Sequence, residues 1–333
     1  MRALVCKQYG PPDTLRIEAY PDPVAGPGQI LVQVVAAGIN FPDLLAIAGK
    51  YQVKTPTPFV PGNEAAGTVL SIGPGVRDFS PGDRVIVATR GGAFAERCVA
   101  YEKMSMRMPV ELDYAQAAGF SVTYGTSYHA LVQRASVQAG ETLLVLGAAG
   151  GVGIAAVQIG KALGARVIAA ASSAAKLEFA RAAGADALID YSTASLRDSV
   201  KEICGGDGVD VVYDPVGGEL AEQAYRALNW HGRYLVVGFA SGDIPAFAAN
   251  IALLKEASIV GVWWGTWAEK NPGLQARNMQ KLAELLAAGK LVPQTSESYA
   301  LEDFRAAFAA IAGRRALGKV ILQMMPLAAS SSV

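Results

Sequence analysis

The stretch from residue 141 to 190 constrains this chain more than any other. An apolar run, Thr142-Leu143-Leu144-Val145-Leu146, breaks into Gly147-Ala148-Ala149-Gly150-Gly151-Val152-Gly153. A helical segment covers 154–163, and after Gly164 a second apolar run covers 166–171. Strand, glycine turn, helix and strand in that order make the βαβ unit that binds dinucleotides. A tight turn needs a residue free to take positive φ, and pyrophosphate reaches the backbone only where no side chain intervenes. Close packing of helix on strand also excludes a Cβ. The helix N-terminus then presents free N–H groups and a positive dipole end to the phosphates. Aligned to G-x-G-x-x-G, the pattern falls on Ala148, Gly150 and Gly153, so alanine replaces the first glycine and Gly147 precedes it. Phosphate contacts are expected from Ala149, Gly150, Gly151 and Val152.

The residues after the second strand select among dinucleotides. An NAD site offers a carboxylate there for the ribose 2′-hydroxyl. This chain reads Ala169-Ala170-Ala171-Ser172-Ser173-Ala174-Ala175-Lys176, with no carboxylate to repel a 2′-phosphate. Ser172 and Ser173 as donors and Lys176 as a point charge would hold one, which makes NADPH the expected cofactor. The plainer reading makes Ser172 the cap of the next helix and Lys176 a solvated charge.

At 333 residues the chain is long enough for two domains. Twenty-nine basic residues balance twenty-nine acidic ones, which argues against nucleic acid or an anionic membrane as the main partner. No apolar run reaches the length of a membrane-spanning helix, and the N-terminal residues are too soon interrupted for a signal peptide. Cys6, Cys98 and Cys204 form neither a disulfide framework nor a C-x-x-C pattern, so a reducing cytoplasm is the expected compartment. His129 and His231 are the only histidines, too few for a His-rich metal site. His129 lies mid-helix and reads as structural.

Residues 1 to about 115 read as irregular β structure punctuated by Pro and Gly, with β-rich runs at 29–37 and 65–71 and one short helix at 42–48. Helices are expected at 114–119 and 123–135. Strand–helix alternation follows, with strands at 142–146, 166–171, 187–190, 209–213, 233–237 and 259–262 and helices including 174–182, 196–203 and 218–227. Six strands with crossover helices make a doubly wound parallel sheet. Beyond Gly261 come three tryptophans (Trp263, Trp264, Trp267), helices at 274–288 and 302–312, a strand at 319–323 and a tail, 326–333, expected to fray. This last block has no nucleotide logic and is expected to return to the first domain. The expected division is 1–118 with 265–333 as a β-rich catalytic domain and 119–264 as a cofactor-binding domain.

With the glycine loop inside this order, the chain resembles the medium-chain dehydrogenase/reductase superfamily, and within it the zinc-free quinone oxidoreductase (zeta-crystallin-like) branch. The matching stretches are Gly38-Ile39-Asn40-Phe41-Pro42-Asp43, Pro61-Gly62-Asn63-Glu64-Ala65-Ala66-Gly67, Pro81-Gly82-Asp83-Arg84-Val85, the 148–153 loop, Asp210-Val211-Val212-Tyr213-Asp214-Pro215-Val216-Gly217-Gly218, and Gly318-Lys319-Val320. The resemblance implies an α/β fold, a Rossmann sheet beside a GroES-like domain. Zinc-dependent relatives carry Cys where this chain has Asn40, His where it has Asn63, and Cys near Ala117 or Ala118, so no catalytic metal is expected. Hydride addition to a simple ketone makes a basic alkoxide that wants a Lewis acid or proton donor, whereas a quinone or enone delocalises the charge and hydrogen-bond donors suffice.

By the same resemblance, Asn40 is expected near the nicotinamide ribose or the acceptor oxygen, Thr123 facing the nicotinamide, and Tyr51 donating to the developing oxyanion. Tyr191 would lie by the adenosine, Val237, Gly238, Phe239, Val262 and Trp263 would run past the nicotinamide amide, and Lys319 would close over the phosphates or ribose. The expected activity is that of an NADPH:quinone reductase-like oxidoreductase acting on a small conjugated carbonyl. The alternatives are a 2-enoyl thioester reductase, whose carrier would need counter-charges such as Lys50 and Lys54, and a non-catalytic NADPH-binding protein. A homodimer is expected through the edge strand at 259–262.

Overall fold

The computed structural model describes residues 1–325; the expectation for the tail at 326–333 lies outside them. Two compact units divide the chain. Among the described residues the first comprises 1–122, 272–276 and 293–325, and the second 123–271 and 277–292.

The first unit opens with β1 (Arg2–Val5), β2 (Arg16–Ala19), β3 (Gln29–Ile39), α1 (Phe41–Ile47), β4 (Glu64–Ile72), β5 (Arg84–Ala88), β6 (Arg97–Tyr101), β7 (Ser105–Arg107) and α2 (Tyr114–Ala118). The unit boundary falls within α3 (Phe120–Tyr128). The second unit continues with β8 (Thr142–Leu146), α4 (Gly151–Ala162), β9 (Arg166–Ala171), α5 (Ala174–Ala182), β10 (Ala187–Asp190), α6 (Leu196–Ile203), β11 (Val209–Asp214), α7 (Glu219–Arg226), β12 (Leu228–Val236), α8 (Ala249–Lys255), β13 (Ser258–Gly261), α9 (Trp264–Lys270) and, from residue 277 on, α10 (Pro272–Ala287). The chain then supplies β14 (Thr295–Ala300), α11 (Phe304–Ala312) and β15 (Lys319–Gln323) to the first unit.

In the first unit, β14-β15-β3-β4-β5-β7 form one sheet, with β6 also on β3, and β1 pairs β2. The pairs are antiparallel except β14 with β15. Alternate burial along β3 is the two-residue period of a strand with one face in a core. That core holds Phe94 edge-to-face on Phe308 of α11. β15 lies antiparallel to β3 with Val320 opposite Ile39 and Ile321 opposite Gly38, which sets Lys319 at the strand end that leads into Asn40.

The second unit is one all-parallel sheet in the order β10-β9-β8-β11-β12-β13. Leu143 to Leu146 are fully buried, the continuous apolar strand that a sheet covered on both faces demands. The order reverses between β8 and β11, and ligands of such sheets bind at that switch point, outside the carboxyl ends of the strands.

Three expectations are corrected here. The division at 118/119 and 264/265 gives way to one at 122/123, and residues 265–271 and 277–292 belong to the second unit rather than returning to the first. Packing decides this: Met279, Leu282 and Leu286 of α10 are buried, and Asn278 exchanges two amide hydrogen bonds with Gln133 at 2.9 and 3.2 Å. Gln158 of α4 also brackets Val292 through both backbone groups at 3.0 Å. Helix 123–135 is interrupted: α3 ends at Tyr128 and continues as a π-helical turn over His129–Arg134. There His129 stacks on Trp267, with 4.2 Å between centroids, and burial pushes its pKa down to about 4, so it stays a neutral structural group. Helices α8 and α9 were not foreseen.

Candidate active site

In the second unit the turn after β8 is built by glycines with separable tasks. Gly147, not the aligned Ala148, takes the left-handed conformation (φ 56°), so the turn glycine stands one residue early. A Cβ on Gly153 would lie 2.3 Å from the Gly147 carbonyl oxygen, so close packing of α4 on the turn requires glycine. Gly150 differs. Its φ is −78° and a Cβ there would meet nothing nearer than 3.4 Å, so neither conformation nor packing asks for glycine. Gly150 is the N-cap of α4, with no side chain to satisfy the first-turn N–H groups. The turn is held from beneath, where the Ser127 hydroxyl donates to the Val152 carbonyl at 2.9 Å and lies 2.9 Å from the Tyr213 hydroxyl.

The other residues of this unit expected to meet the cofactor lie at the carboxyl ends of the parallel strands: Ser172 and Ser173 after β9, Tyr191 after β10, Val237, Gly238 and Phe239 after β12, and Val262 and Trp263 after β13. Ser173, rather than Ser172, caps α5, its hydroxyl accepting from the Lys176 N–H at 3.4 Å. Ser172 instead accepts from the Lys176 ammonium at 3.0 Å, which sets that hydroxyl and charge side by side. Asp190 turns its carboxylate onto the Ser192 N–H and hydroxyl, which holds its pKa down. The loop after β12 is fixed by the Asp214 carbonyl, which accepts from the Val237 and Gly238 N–H groups at 2.9 and 3.3 Å.

The buried Asp214 carboxylate accepts from the Val216 and Gly217 N–H groups and the Tyr234 hydroxyl, and desolvation raises its pKa. Asp-Pro-Val-Gly-Gly is an Asx-turn signature from which this role was readable. Thr123 is buried on α3.

In the first unit Asn40 and Lys319 meet in a buried polar cluster. Asn40 precedes α1, and its N–H donates to Asp43 Oδ2 at 2.7 Å. Its side chain does not cap the helix: Nδ2 donates to Glu64 Oε1 at 2.9 Å, and Oδ1 accepts from the Lys319 ammonium. Lys319 also pairs with Glu64, whose Oε2 accepts from the Val122 N–H at 2.8 Å. Asn63 Nδ2 donates to Asp43 Oδ1 at 2.8 Å. Burial pushes the Asp43 carboxyl up to about 7, against the pull of the Asn40 N–H and the Lys319 charge.

The structure thus bonds Lys319 to Asn40 and Glu64. Asp43 was not singled out as a member of the cluster; an Asn followed three residues later by Asp was its local signal. Tyr51 lies apart from these bonds, half-buried after α1, with its N–H on the Leu45 carbonyl at 3.1 Å.

Comparison with known proteins agrees with this geometry. Residues 26–140 match the alcohol dehydrogenase GroES-like domain and residues 151–285 the zinc-binding dehydrogenase model. The quinone oxidoreductase-like protein 2 homolog of Nematostella vectensis is 39% identical over 324 residues, 96% of this chain and 88% of that protein. The Escherichia coli quinone oxidoreductase solved with NADPH superposes with a TM-score of 0.89 at 28% identity, covering 97% of this chain and 100% of that one. A mycobacterial protein solved with NADPH gives 0.90 at 30%, covering 97% and 99%. The chain therefore belongs to the quinone oxidoreductase-like family of medium-chain dehydrogenases/reductases.

Proposed function

We propose that this protein is an NADPH-dependent reductase of quinones or other α,β-unsaturated carbonyls that works without zinc. The observation that carries the reading is the make-up of the buried cluster. Zinc takes thiolate, imidazole and carboxylate donors in a tetrahedral set. The cluster offers two asparagine amides, two carboxylates joined through Asn40 and already held by its N–H, its amide and that of Asn63, and an ammonium bonded to Glu64. A cation in that place repels another, so the residues do not fit the metal for which one matching family model is named. Among the described residues no group of three or more His, Cys, Asp or Glu is arranged to hold a metal. Without a Lewis acid, acceptors that delocalise the developing charge are the ones within reach.

NADPH suits the second unit. Ala149, Gly150, Gly151 and Val152 would hold the pyrophosphate, and Ser172, Ser173 and Lys176 the 2′-phosphate. Tyr191 would border the adenosine, and Val237, Gly238, Phe239, Val262 and Trp263 the nicotinamide amide. When bound, NADPH supplies the hydride. Tyr51 would donate to the acceptor oxygen, Asn40 would orient the site and Thr123 would face the nicotinamide. The exposed edge strand β13, carrying Ile259, supports a homodimer by strand pairing, and three free cysteines suit a reducing cytoplasm.

The test is oxidation of NADPH and NADH against a panel of 1,4-quinones, enones, enoyl thioesters and saturated ketones. The expected result is turnover with quinones or enones and a clear preference for NADPH. Preference for NADH, or turnover confined to alcohols and saturated ketones, overturns the reading. Tight NADPH binding with no turnover on any acceptor makes this a cofactor-binding protein.

A further inference from the structure

Two glycines that no turn demands shape the interior of the first unit. Gly38 lies within β3 and Gly119 ends α2, and neither takes a left-handed conformation. A Cβ on Gly119 would stand 2.5 Å from Lys319 Cγ, and one on Gly38 would stand 2.6 Å from the Ala118 carbonyl oxygen, 2.7 Å from Lys319 Cε and 2.8 Å from Glu64 Oε1. The two missing methyls open a slot for the lysine stem, and the slot ends at Glu64 and Asn40.

The charged groups facing one another there are Asp43 from α1, Glu64 from β4 and Lys319 from β15. Glu64 is fully buried, and a carboxylate taken out of water needs a counter-charge and hydrogen bonds. It has both: the Lys319 ammonium, the Asn40 amide and the Val122 N–H. Asn40 lies with its oxygen on the cation and its amide nitrogen on the anion, so the charge pair sets which way the amide points.

We propose that Lys319 is a positioning residue, the built-in cation that neutralises Glu64 and fixes the Asn40 amide in place of a metal, and that it is not a ligand of the cofactor phosphates. Its catalytic consequence rests on the proposed zinc-independent reduction; its charge role does not.

The experiment is Lys319→Met, of similar length and uncharged, read by thermal melts across pH and by NADPH titration. With the lysine gone, Glu64 must be buried with a proton, so folding takes one up and stability gains as pH falls. The melting temperature should drop by on the order of 5 °C near neutral pH and recover toward wild type in mild acid. The double variant Glu64→Gln/Lys319→Met should recover the loss and remove the pH dependence that Lys319→Met adds. NADPH affinity should stay within about twofold, while kcat on an accepted quinone falls about tenfold.

A Lys319→Met protein as stable as wild type at every pH overturns the proposal. So does a tenfold or greater loss of NADPH affinity (~1.4 kcal/mol) with kcat intact. If the single variant does not fold, folding of the double variant supports the charge role, and failure of both assigns Lys319 to packing and overturns it. The melts and titration need no turnover, so they stand whichever acceptor the enzyme uses.

Discussion

The turn after β8 and the cluster around Lys319 both organise charge, but from opposite materials. The turn uses backbone from seven consecutive residues, 147–153, whose glycines clear the way for amide groups. The cluster uses side chains from positions 40, 43, 63, 64 and 319, and its closing bond, Lys319 to Asn40, joins residues 279 apart. A backbone site tolerates changes of pH and fails by collision. A side-chain site fails by loss of a partner or of a proton. Within the turn, Gly153 serves the fold and Gly150 has no fold-related reason to be glycine, so the two separate stability from binding.

Mutations can break this contrast, and the largest effect is expected at Gly153. Gly153→Ala would drive a methyl into the Gly147 carbonyl, costing on the order of 3 kcal/mol in urea unfolding and abolishing NADPH binding. Gly150→Ala should leave unfolding within about 0.5 kcal/mol of wild type yet weaken NADPH roughly a hundredfold, because its methyl would meet no protein atom nearer than 3.4 Å but would stand where the pyrophosphate is proposed to lie. Equal losses of stability in the two variants would erase the distinction.

Lys176→Ala sharpens the contrast further. It should weaken NADPH about tenfold and NADH little, with the difference shrinking as salt rises. Equal loss of both cofactors would remove the 2′-phosphate role.

The smallest expected effect is a pH dependence in the cluster. Asp43 keeps its proton to a higher pH when folded, with a pKa of about 7 against 3.8. Folding therefore takes up a proton between those values, and stability falls as pH rises through the window. Asp43→Asn should flatten that slope in urea melts; an unchanged slope would place the titration elsewhere.

The same contrast explains what was legible in the sequence. Strands 142–146, 166–171 and 187–190 were placed to the residue because each is one short run bounded by glycine or polar residues. β12 was begun five residues late: Leu228 pairs Val209, then the register slips before Arg233, and Asn229-Trp230-His231-Gly232 carries no strand period. α9 was hidden in Trp-Trp-Gly-Thr-Trp, where tertiary packing of Trp264 on Gly125 decides the helix. Asn40 and Asn63 were recognised as missing metal ligands, but nothing local links either to Lys319. That link exists only once β15 lies antiparallel to β3.

The central claim is that a lysine-centred cluster, with no bound zinc, serves the reduction of a conjugated acceptor by NADPH. The most direct test measures the metal content of the purified protein alongside NADPH oxidation by a 1,4-quinone before and after exhaustive chelation. The account predicts far less than one zinc per chain and an unchanged rate after chelation. A stoichiometric zinc whose removal abolishes the rate and whose return restores it would contradict it.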